Sequence, residues 1–318
     1  MMPKGTKRKQ REVFGATLAE CGGKNHNIVA LNADLSSSTK TSTFAAVPEC
    51  RTRFWNMGIA EANMMCVAAG LATTGKIVVA STFAVFATGR AYDQIRQSIA
   101  YPNLDVKIVA SHAGITVGGD GGSHQTVEDI ALMRALPNMR VVVPCDGVET
   151  RAITEAILNI PGPFYMRMGR TDTPDILDEG TPWHLGRAMT LADGADVTFV
   201  AIGIMVGEAL KARAQLAGEG VSARVVNMSS IKPIDHETIV KAAKDTGAIV
   251  TAEEHSIIGG VGSAVCEVVA EEYRAPVRRV GIRDVFGQSG EVDELMRAYG
   301  LTADNLVRTA HEVMKERA

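Results

Sequence analysis

The sequence predicts an α/β protein built on parallel sheets, and three observations support this class. Short β-branched runs alternate with helix-length amphipathic stretches along most of the 318-residue chain. Aromatic residues make up 5% of the chain, which is low for an aromatic-rich sandwich or barrel. Hydrophobic residues make up 46%, enough for buried cores, which excludes a wholly disordered chain. At roughly 100–200 residues per domain, the length predicts two domains.

The first half of the chain contains five predicted strands and five predicted helices. The strands are predicted at residues 28–31, 77–80, 106–110, 141–143 and 164–166. The helices are predicted at residues 13–21, 60–71, 86–99, 127–135 and 147–158. Each strand leads into a loop that carries polar residues, and open α/β sheets bind ligands at the carboxyl ends of their strands. We therefore expect functional residues in these loops.

An irregular segment separates the two halves of the chain. Residues 171–187 are rich in turn formers and lack periodicity, which is typical of an interdomain linker. We place the boundary after residue 186, giving domains 1–186 and 187–318. The second half contains strands predicted at 197–202, 223–227, 249–252 and 277–280, and helices predicted at 206–217, 235–243, 262–272, 292–299 and 303–316. Thr302 is the predicted N-cap of the last helix.

Composition and charge exclude several classes of function. The formal net charge is −3, so no broad basic surface for nucleic acid is expected. The longest apolar stretch, 197–206, is too short to span a bilayer. The five cysteines are widely spread and form no C-x-x-C pair, which favours free, mostly buried thiols and a cytoplasmic location. The basic segment 1–11 is interpreted as a solvated leader before the first helix.

Two glycine-rich segments invite a phosphate-binding interpretation. Residues 259–262 (GGVG) follow a strand and open a helix, but the third glycine of the dinucleotide fingerprint is missing, so a tight turn is the better interpretation. Residues 118–124 (GGDGGSH) form a glycine-rich loop whose backbone can approach a ligand closely. Asp120 and His124 in this loop suit hydrogen bonds to sugar hydroxyls or proton transfer. A surface loop with incidental polar residues is the alternative.

Glu61 and two phenylalanines are candidates for holding a flat ligand. Glu61 near a helix start is often only a favourable partner of the helix dipole. The apolar residues Ile59 and Met64 around it indicate a buried carboxylate instead, suited to sharing a proton with a ligand nitrogen. Phe83 and Phe86 follow a strand and suit a wall for a flat ring, with core packing as the ordinary alternative.

Taken in order, these segments resemble the C-terminal half of transketolase. They are also similar to 1-deoxy-D-xylulose-5-phosphate synthase and to the beta subunits of 2-oxoacid dehydrogenase decarboxylase components. The resembling stretches are NADL at 32–35, GIAE at 58–61, STF at 81–83, RAYDQ at 90–94, GDGGSHQ at 119–125, LPNM at 136–139, VPCDG at 143–147, EEH at 253–255 and GGVG at 259–262. The match is collinear over essentially the whole chain.

The resemblance implies a thiamine-diphosphate-binding, pyrimidine-type domain with a parallel sheet, followed by a smaller α/β C-terminal domain. It implies that Glu61 is catalytic, hydrogen-bonding the aminopyrimidine ring nitrogen of the cofactor and favouring its imino tautomer. Phe83 and Phe86 are expected to pack against the pyrimidine. Asp34 is expected among the cofactor-binding residues.

The resemblance also implies a set of substrate contacts. Asp120 and His124 match sugar-hydroxyl ligands, and His124 is expected to take part in catalysis. The residues that fall at the positions holding the substrate phosphate are Arg11, Ser38, His112 and Arg170. Two guanidinium groups, a hydroxyl and an imidazole suit phosphate oxygens. Arg167 is a competing candidate for the position given to Arg170.

One departure from the family bears on metal binding. In full-length transketolases a G-D-G motif, followed some way on by Asn, holds magnesium and the diphosphate. Here no strand immediately precedes GDG at 119–121, no N-N pair follows, and Asn138 is too close. We therefore expect no metal site on this chain, with Mg²⁺ held by an N-terminal partner subunit.

The expected function is that of the C-terminal subunit of a split transketolase, which transfers a two-carbon ketol unit between sugar phosphates in an α2β2 complex. Three alternatives remain open: the beta subunit of a 2-oxoacid decarboxylase component, a 1-deoxyxylulose-5-phosphate synthase-like activity, and a catalytically silent regulatory subunit.

Overall fold

A computed structural model describes residues 5–317 of the chain. The strands are β1 Lys7–Lys9, β2 Ile28–Asn32, β3 Phe54–Asn56, β4 Ile77–Phe83, β5 Val106–Ser111, β6 Arg140–Val142, β7 Phe164–Arg167, β8 Asp172–Pro174, β9 Met189–Ala192, β10 Val197–Ala201, β11 Ala223–Asn227, β12 Ser230–Lys232, β13 Ile249–Ser256 and β14 Val277–Ile282.

The α-helices are α1 Gln10–Lys24, α2 Ser36–Thr39, α3 Ser42–Ala46, α4 Glu61–Ala72, α5 Tyr92–Gln94, α6 Asp129–Ala135, α7 Gly147–Ile157, α8 Met205–Gly218, α9 His236–Thr246, α10 Val261–Glu272, α11 Val292–Ala298 and α12 Ala303–Met314. Short 3-10 turns lie at Arg51–Arg53 and Gly118–Asp120, and π-helical turns lie at Phe86–Arg90 and Ile95–Ala100.

The larger sheet has the strand order β12-β6-β7-β5-β4-β2-β3. The six strands from the first half of the chain are parallel to their neighbours, and β12 pairs antiparallel with β6. Helices cover this sheet, so β2 and β5 are buried along their whole length. This burial on both faces explains why the central strands are mostly apolar and show no regular alternation with polar residues.

The second sheet has the order β14-β13-β10-β11-β9, with β9 antiparallel to β11. The two halves of the chain are joined closely, because β12 from the second half extends the sheet of the first. One hydrophobic cluster also spans both halves, with Ile108 and Val141 on one side and Val200, Val226 and Val261 on the other. The carboxyl end of the larger sheet therefore lies beside the second half.

Every predicted strand overlaps an observed strand, but five further strands went unpredicted. These are β1, β3, β8, β9 and β12, each of three or four residues. Runs this short carry too few residues for a periodic signal. The predicted helix over 86–99 is interrupted, since π-helical turns flank the short α5 within it. Such wide turns occur frequently at functional sites.

One expectation about the irregular segments was wrong. Residues 7–9 are not a solvated leader, because β1 pairs antiparallel with β8; residues 1–4 of that segment lie outside the described residues. The segment 171–187, predicted as an interdomain linker, is packed against the protein, because Ile176, Leu177 and Trp183 are buried. The Asp146 carboxylate accepts hydrogen bonds from the backbone N–H groups of Ile176 and Leu177, which ties the segment to the start of α7.

The structure confirms the predicted N-cap of the last helix and the free state of the cysteines. The hydroxyl of Thr302 accepts a hydrogen bond from the backbone N–H of Asn305, which confirms it as the N-cap of α12. The five cysteines are free, as expected, but only Cys50 and Cys145 are buried, so the expectation of mostly buried thiols was wrong. Within residues 5–317, no helix is long and apolar enough to cross a membrane.

Candidate active site

The candidate site lies at the carboxyl edge of the larger sheet, where β2, β4 and β5 end side by side. Phe83, the last residue of β4, pairs in register with Ser111, the last residue of β5. Asn32, the last residue of β2, pairs with Ser81 of β4. Because neighbouring parallel strands end at one edge, the residues that follow them meet there.

A buried polar network shapes the loop after β2. The Asn32 amide donates to the hydroxyls of Thr39 and Thr41 and to the Ser81 carbonyl, over 2.8–3.1 Å. Its carbonyl oxygen accepts from the backbone N–H of Leu35 at 2.6 Å. The fully buried Asn32 side chain makes all of these contacts, so it holds the loop that carries Asp34 and Ser38 to the sheet.

Four aromatic rings meet beyond the ends of β4 and β5. Phe83 stacks on His112 with ring centroids 3.8 Å apart, and on Phe86 at 5.9 Å. His124 meets Phe86 edge-on at 5.4 Å. Phe83 is buried, whereas Phe86 and His124 are half-buried. The structure therefore brings together two predicted cofactor residues and two predicted substrate residues in one aromatic cluster, Phe83, Phe86, His112 and His124.

His112 is held in an uncommon state. Its backbone adopts the left-handed conformation, with φ of 59°, directly after β5. Its Nδ1 lies 2.9 Å from the Ser111 hydroxyl. Burial, followed by the positive charges of Arg11 and Arg170, lowers the pKa of His112 to about 3. The imidazole is therefore neutral near pH 7, with one ring nitrogen as a donor and the other as an acceptor.

Two arginines bring positive charge to the same place. The Arg11 Nη1 donates to the Ser38 carbonyl at 3.2 Å and lies 3.4 Å from the His112 Nε2. The Arg170 Nη1 donates to the Val117 carbonyl at 2.7 Å. Both side chains are half-buried, and within residues 5–317 neither forms an ion pair. Their charge is thus available to an anion.

Arg167 lies in a different environment from Arg170. Its guanidinium is buried, with Nε 2.8 Å from an Asp129 carboxylate oxygen and Nη2 donating to the Glu254 carbonyl at 2.8 Å. The Tyr165 hydroxyl donates to the same Asp129 oxygen at 2.7 Å. Sequence reasoning missed this network, because its members stand far apart along the chain. Among the described residues, Arg167 is held in a buried ion pair, whereas Arg170 donates only to a backbone carbonyl.

Glu61 is the first residue of α4, and its side chain is buried. The Arg90 Nη1 donates to the Glu61 carboxylate at 3.2 Å. The same guanidinium lies 4.3 Å from the centre of the Phe86 ring, a cation–π contact. Arg90 thereby connects Glu61 to the aromatic cluster. Sequence reasoning quoted Arg90 only within RAYDQ; a cation four residues after Phe86 was the available signal.

Asp34 lies at the edge of the site rather than in the aromatic cluster. Its backbone is left-handed, with φ of 59°, and its carboxylate is exposed. Asp34 and Asn56 exchange two hydrogen bonds: the Asn56 amide donates to the carboxylate at 3.0 Å, and the Asp34 backbone N–H donates to the amide oxygen at 2.9 Å. The Asn56 oxygen also accepts from the backbone N–H of Gly58, so Asp34 borders the segment that leads to Glu61.

Asp120 and His124 lie on the loop that leaves β5. We refer to residues 113–126 as the glycine loop. Asp120 ends a 3-10 turn and is exposed, while the His124 Nδ1 lies 3.0 Å from the Ser123 hydroxyl. Gly114 and Thr126 pair across the base of the loop, with a 2.9 Å hydrogen bond from the Gly114 N–H. The loop thus returns His124 to the cluster.

The segment GGVG at 259–262 does not offer an anion site. The buried Glu253 carboxylate accepts from the backbone N–H groups of Val261 and Gly262 at 2.7 and 2.9 Å, and so occupies the start of α10. Burial raises the pKa of Glu253 to about 7. Gly259 adopts a left-handed turn with φ of 78°, which confirms the tight-turn interpretation. Among residues 5–317, no group of three His, Cys, Asp or Glu side chains is arranged to hold a metal ion.

Comparison with known proteins places these features in a family. The pyrimidine binding domain of transketolase matches residues 6–175, and the C-terminal domain of transketolase matches residues 186–306. A Methanocaldococcus jannaschii protein with the provisional name transketolase C-terminal section is 50% identical over 315 residues, covering 98% of both chains. A 6-deoxy-6-sulfo-D-fructose transketolase subunit from a Clostridium species is 44% identical over 307 residues, covering 96% of this chain and 95% of the other.

A solved structure supports the same relationship. A split-gene transketolase, described as an inactive β4 tetramer, superimposes with a TM-score of 0.90 at 51% identity. The alignment covers 99% of this chain and 100% of the other. The two α/β units thus have the fold of the pyrimidine-binding and C-terminal domains of that family.

Proposed function

Since the chain belongs to the transketolase family, we propose that it is the C-terminal subunit of a two-component, thiamine-diphosphate-dependent transketolase. One observation carries the proposal: a buried carboxylate, an aromatic wall and two unpaired guanidinium groups share one edge of the larger sheet. A heteroaromatic cofactor and a sugar phosphate need these groups side by side.

The residues present fit the pyrimidine part of thiamine diphosphate. The half-buried Phe86 ring offers a face for a flat heterocycle, with Phe83 behind it. Glu61, buried and beside Arg90, would accept a hydrogen bond from a ring nitrogen or share its proton. Asp34 would border the ring from the loop after β2. When bound, thiamine diphosphate supplies the nucleophilic carbon that attacks a ketose carbonyl.

The remaining residues fit a sugar phosphate. Asp120 and His124 would hold sugar hydroxyls, because an exposed carboxylate and an imidazole supply complementary acceptors and donors. His124 would also exchange a proton with the reacting hydroxyl. Arg11, His112 and Arg170 would hold the phosphate, with Ser38 at the end of the Arg11 contact. The ion pair of Arg167 with Asp129 favours Arg170 over Arg167 in this role.

A partner subunit would supply what this chain does not. We assign Mg²⁺ and the cofactor diphosphate to an N-terminal transketolase subunit, in an α2β2 complex with C2 symmetry. Support comes from relatives named as a C-terminal section and as a split-gene transketolase, each matched over at least 98% of its length. Within the chain, residues 1–186 would form the pyrimidine-binding domain and 187–318 the C-terminal domain. The free thiols favour the cytoplasm.

The test is a comparison of reactions by the reconstituted complex. With thiamine diphosphate and Mg²⁺, we expect transfer of a two-carbon unit from a ketose phosphate to an aldose phosphate. Reductive acylation of lipoamide from a 2-oxoacid would favour the decarboxylase alternative, and condensation of pyruvate with glyceraldehyde phosphate the synthase alternative. If none of these reactions exceeds the rate without protein, the chain is a silent subunit and the proposal fails.

A further inference from the structure

The glycine loop is hydrogen-bonded to the other half of the chain at two places. At its first end, the backbone N–H of Thr116 donates to the Glu254 carboxylate at 2.6 Å. Glu254 lies near the end of β13, a strand that is buried along its whole length. A Cβ at Gly114 would lie 2.2 Å from the same carboxylate, so the loop backbone passes directly against it. Residues 187–318 thus fix where the loop begins.

A second attachment lies near the other end of the loop. The buried Gln125 amide donates to the carbonyls of Ile115 at 3.1 Å and Gln288 at 3.0 Å, with a longer contact of 3.4 Å to Gly118. One side chain therefore cross-links two points of the glycine loop and ties both to the segment before α11. That segment is anchored in turn, because the Tyr299 hydroxyl donates to the Phe286 carbonyl at 2.9 Å.

The two backbones also approach each other closely. A Cβ at Gly122 would lie 2.7 Å from the Gly287 carbonyl oxygen, and a Cβ at Gly287 would lie 1.7 Å from the Gln125 Oε1. A side chain at Gly122 would meet the backbone of the other segment, whereas a side chain at Gly287 would displace the Gln125 side chain. Asp120 and His124 lie between Thr116 and Gln125 in the sequence, so these contacts lie on both sides of them.

We propose that residues 187–318 position the sugar-binding loop. The positioning residues are Glu254, which accepts from the loop backbone, and Gln125 of the loop, which donates to the Gln288 carbonyl. This inference rests on the proposed function, which assigns Asp120 and His124 to the sugar. It gives the C-terminal part of the chain a role in the reaction without any substrate contact of its own. A loop displaced by about 1 Å would bind and orient the sugar less well, while the pocket formed by Glu61, Phe83 and Phe86 would be unaffected.

Gly287→Ala tests the proposal from the opposite side of the contact. Its methyl group would displace the Gln125 side chain, whereas Gly218→Ala, at the end of α8, meets no atom within 4 Å and serves as the matched control. We expect amide hydrogen exchange of residues 113–126 in the full chain to accelerate about tenfold in Gly287→Ala and to stay unchanged in Gly218→Ala. Gln125→Ala should accelerate exchange similarly. Because both changes act on the same contact, exchange in the double variant should be accelerated by less than the product of the two single effects.

The reconstituted complex provides the second measurement. In Gly287→Ala the KM for the ketose phosphate should rise about tenfold, with the apparent affinity for thiamine diphosphate changed less than about twofold. Unchanged exchange in both single variants, or equal loss of sugar and cofactor affinity, would overturn the proposal. If Gly287→Ala does not fold, Gln125→Ala decides alone. Inactivity of the wild-type complex would overturn the proposed function, whereas the exchange experiment judges the positioning of the loop separately.

Discussion

Glu61 combines burial with a place at the aromatic cluster. A buried carboxylate costs several kcal/mol unless it is paired, and its partner here, the Arg90 guanidinium, is more than half exposed. Such an arrangement is poorly explained by stability alone, because a surface acid would serve the helix dipole equally well. We therefore propose that Glu61 is kept near a ligand nitrogen with which it exchanges a proton.

Replacing Glu61 tests that role. Glu61→Gln keeps the side-chain shape but removes the proton acceptor, so turnover of the reconstituted complex should fall about 10²–10⁴-fold. Glu271→Gln, at an exposed position of α10, should leave turnover unchanged. Steady-state ketol transfer measures both, and turnover of Glu61→Gln near the wild-type value would remove Glu61 from the mechanism.

His112 links the site to the pH dependence of stability. The pKa of His112 is about 3 in the folded chain, below the ordinary value of 6.5 expected in the unfolded chain. As the pH falls below 6.5, the unfolded chain takes up a proton that the folded chain does not, so this contribution to stability is lost towards acid. The loss is about 1.5 kcal/mol between pH 6.5 and pH 5.

His112→Asn should abolish that part of the pH dependence, since asparagine tolerates the left-handed backbone and does not titrate. Urea unfolding at pH 6.5 and pH 5 measures the difference between variant and wild type. An identical pH dependence in the two proteins would show that the pKa of His112 is the same in the folded and the unfolded chain, contrary to this account.

Arg167 and Arg170, three positions apart, should respond differently to the same change. Arg170→Gln should raise the KM for a ketose phosphate about 10–100-fold and leave an unphosphorylated ketose unaffected, because it removes charge-assisted hydrogen bonds to phosphate. Arg167→Gln should lower the free energy of unfolding by about 3–5 kcal/mol, because it leaves Asp129 buried without its partner. Substrate kinetics and urea unfolding of both variants measure these effects. A raised KM in Arg167→Gln together with a loss of stability in Arg170→Gln would contradict the two assignments.

At the scale of the element, the sequence predicts strands and helices that have a regular pattern of apolar residues. It does not predict elements and contacts that depend on pairing with distant parts of the chain. The buried strands β2, β4 and β5 were predictable because burial on both faces makes most of their residues apolar. The strand β12 was not, because three residues acquire their structure by pairing with β6 from the other half of the chain. The same holds for Arg90 and for Gln125, whose partners are set by tertiary packing.

The start of α7 is tied to the segment 175–177 by hydrogen bonds to one buried carboxylate. The buried Asp146 carboxylate accepts from the backbone N–H groups of Glu149, Ile176 and Leu177. Asp146→Ala would leave three buried donors without this acceptor, so we expect a loss of about 2–4 kcal/mol in urea unfolding. Asp293→Ala, at an exposed first-turn acid of α11, should cost less than about 1 kcal/mol. Equal effects of the two changes would contradict this account of the segment 175–177.

At the scale of the whole molecule, the two halves of the chain form one structural unit. A strand from the second half completes the sheet of the first, and one hydrophobic cluster spans both. The second half also braces the glycine loop through Glu254 and the Gln288 carbonyl. The two domains predicted from the length are therefore packed closely together, and both contribute contacts to the glycine loop.

We propose that the carboxyl edge of the larger sheet binds the pyrimidine ring and the sugar phosphate, and that catalysis needs a second subunit that holds the diphosphate and Mg²⁺.

The most direct test is titration of the purified chain with the N-terminal subunit in the presence of thiamine diphosphate, Mg²⁺, a ketose phosphate and an aldose phosphate. We predict no ketol transfer by the chain alone, and a rate that rises with added partner until the two chains are equimolar. Transfer by a verified single-chain preparation at the rate of the mixture would contradict the account.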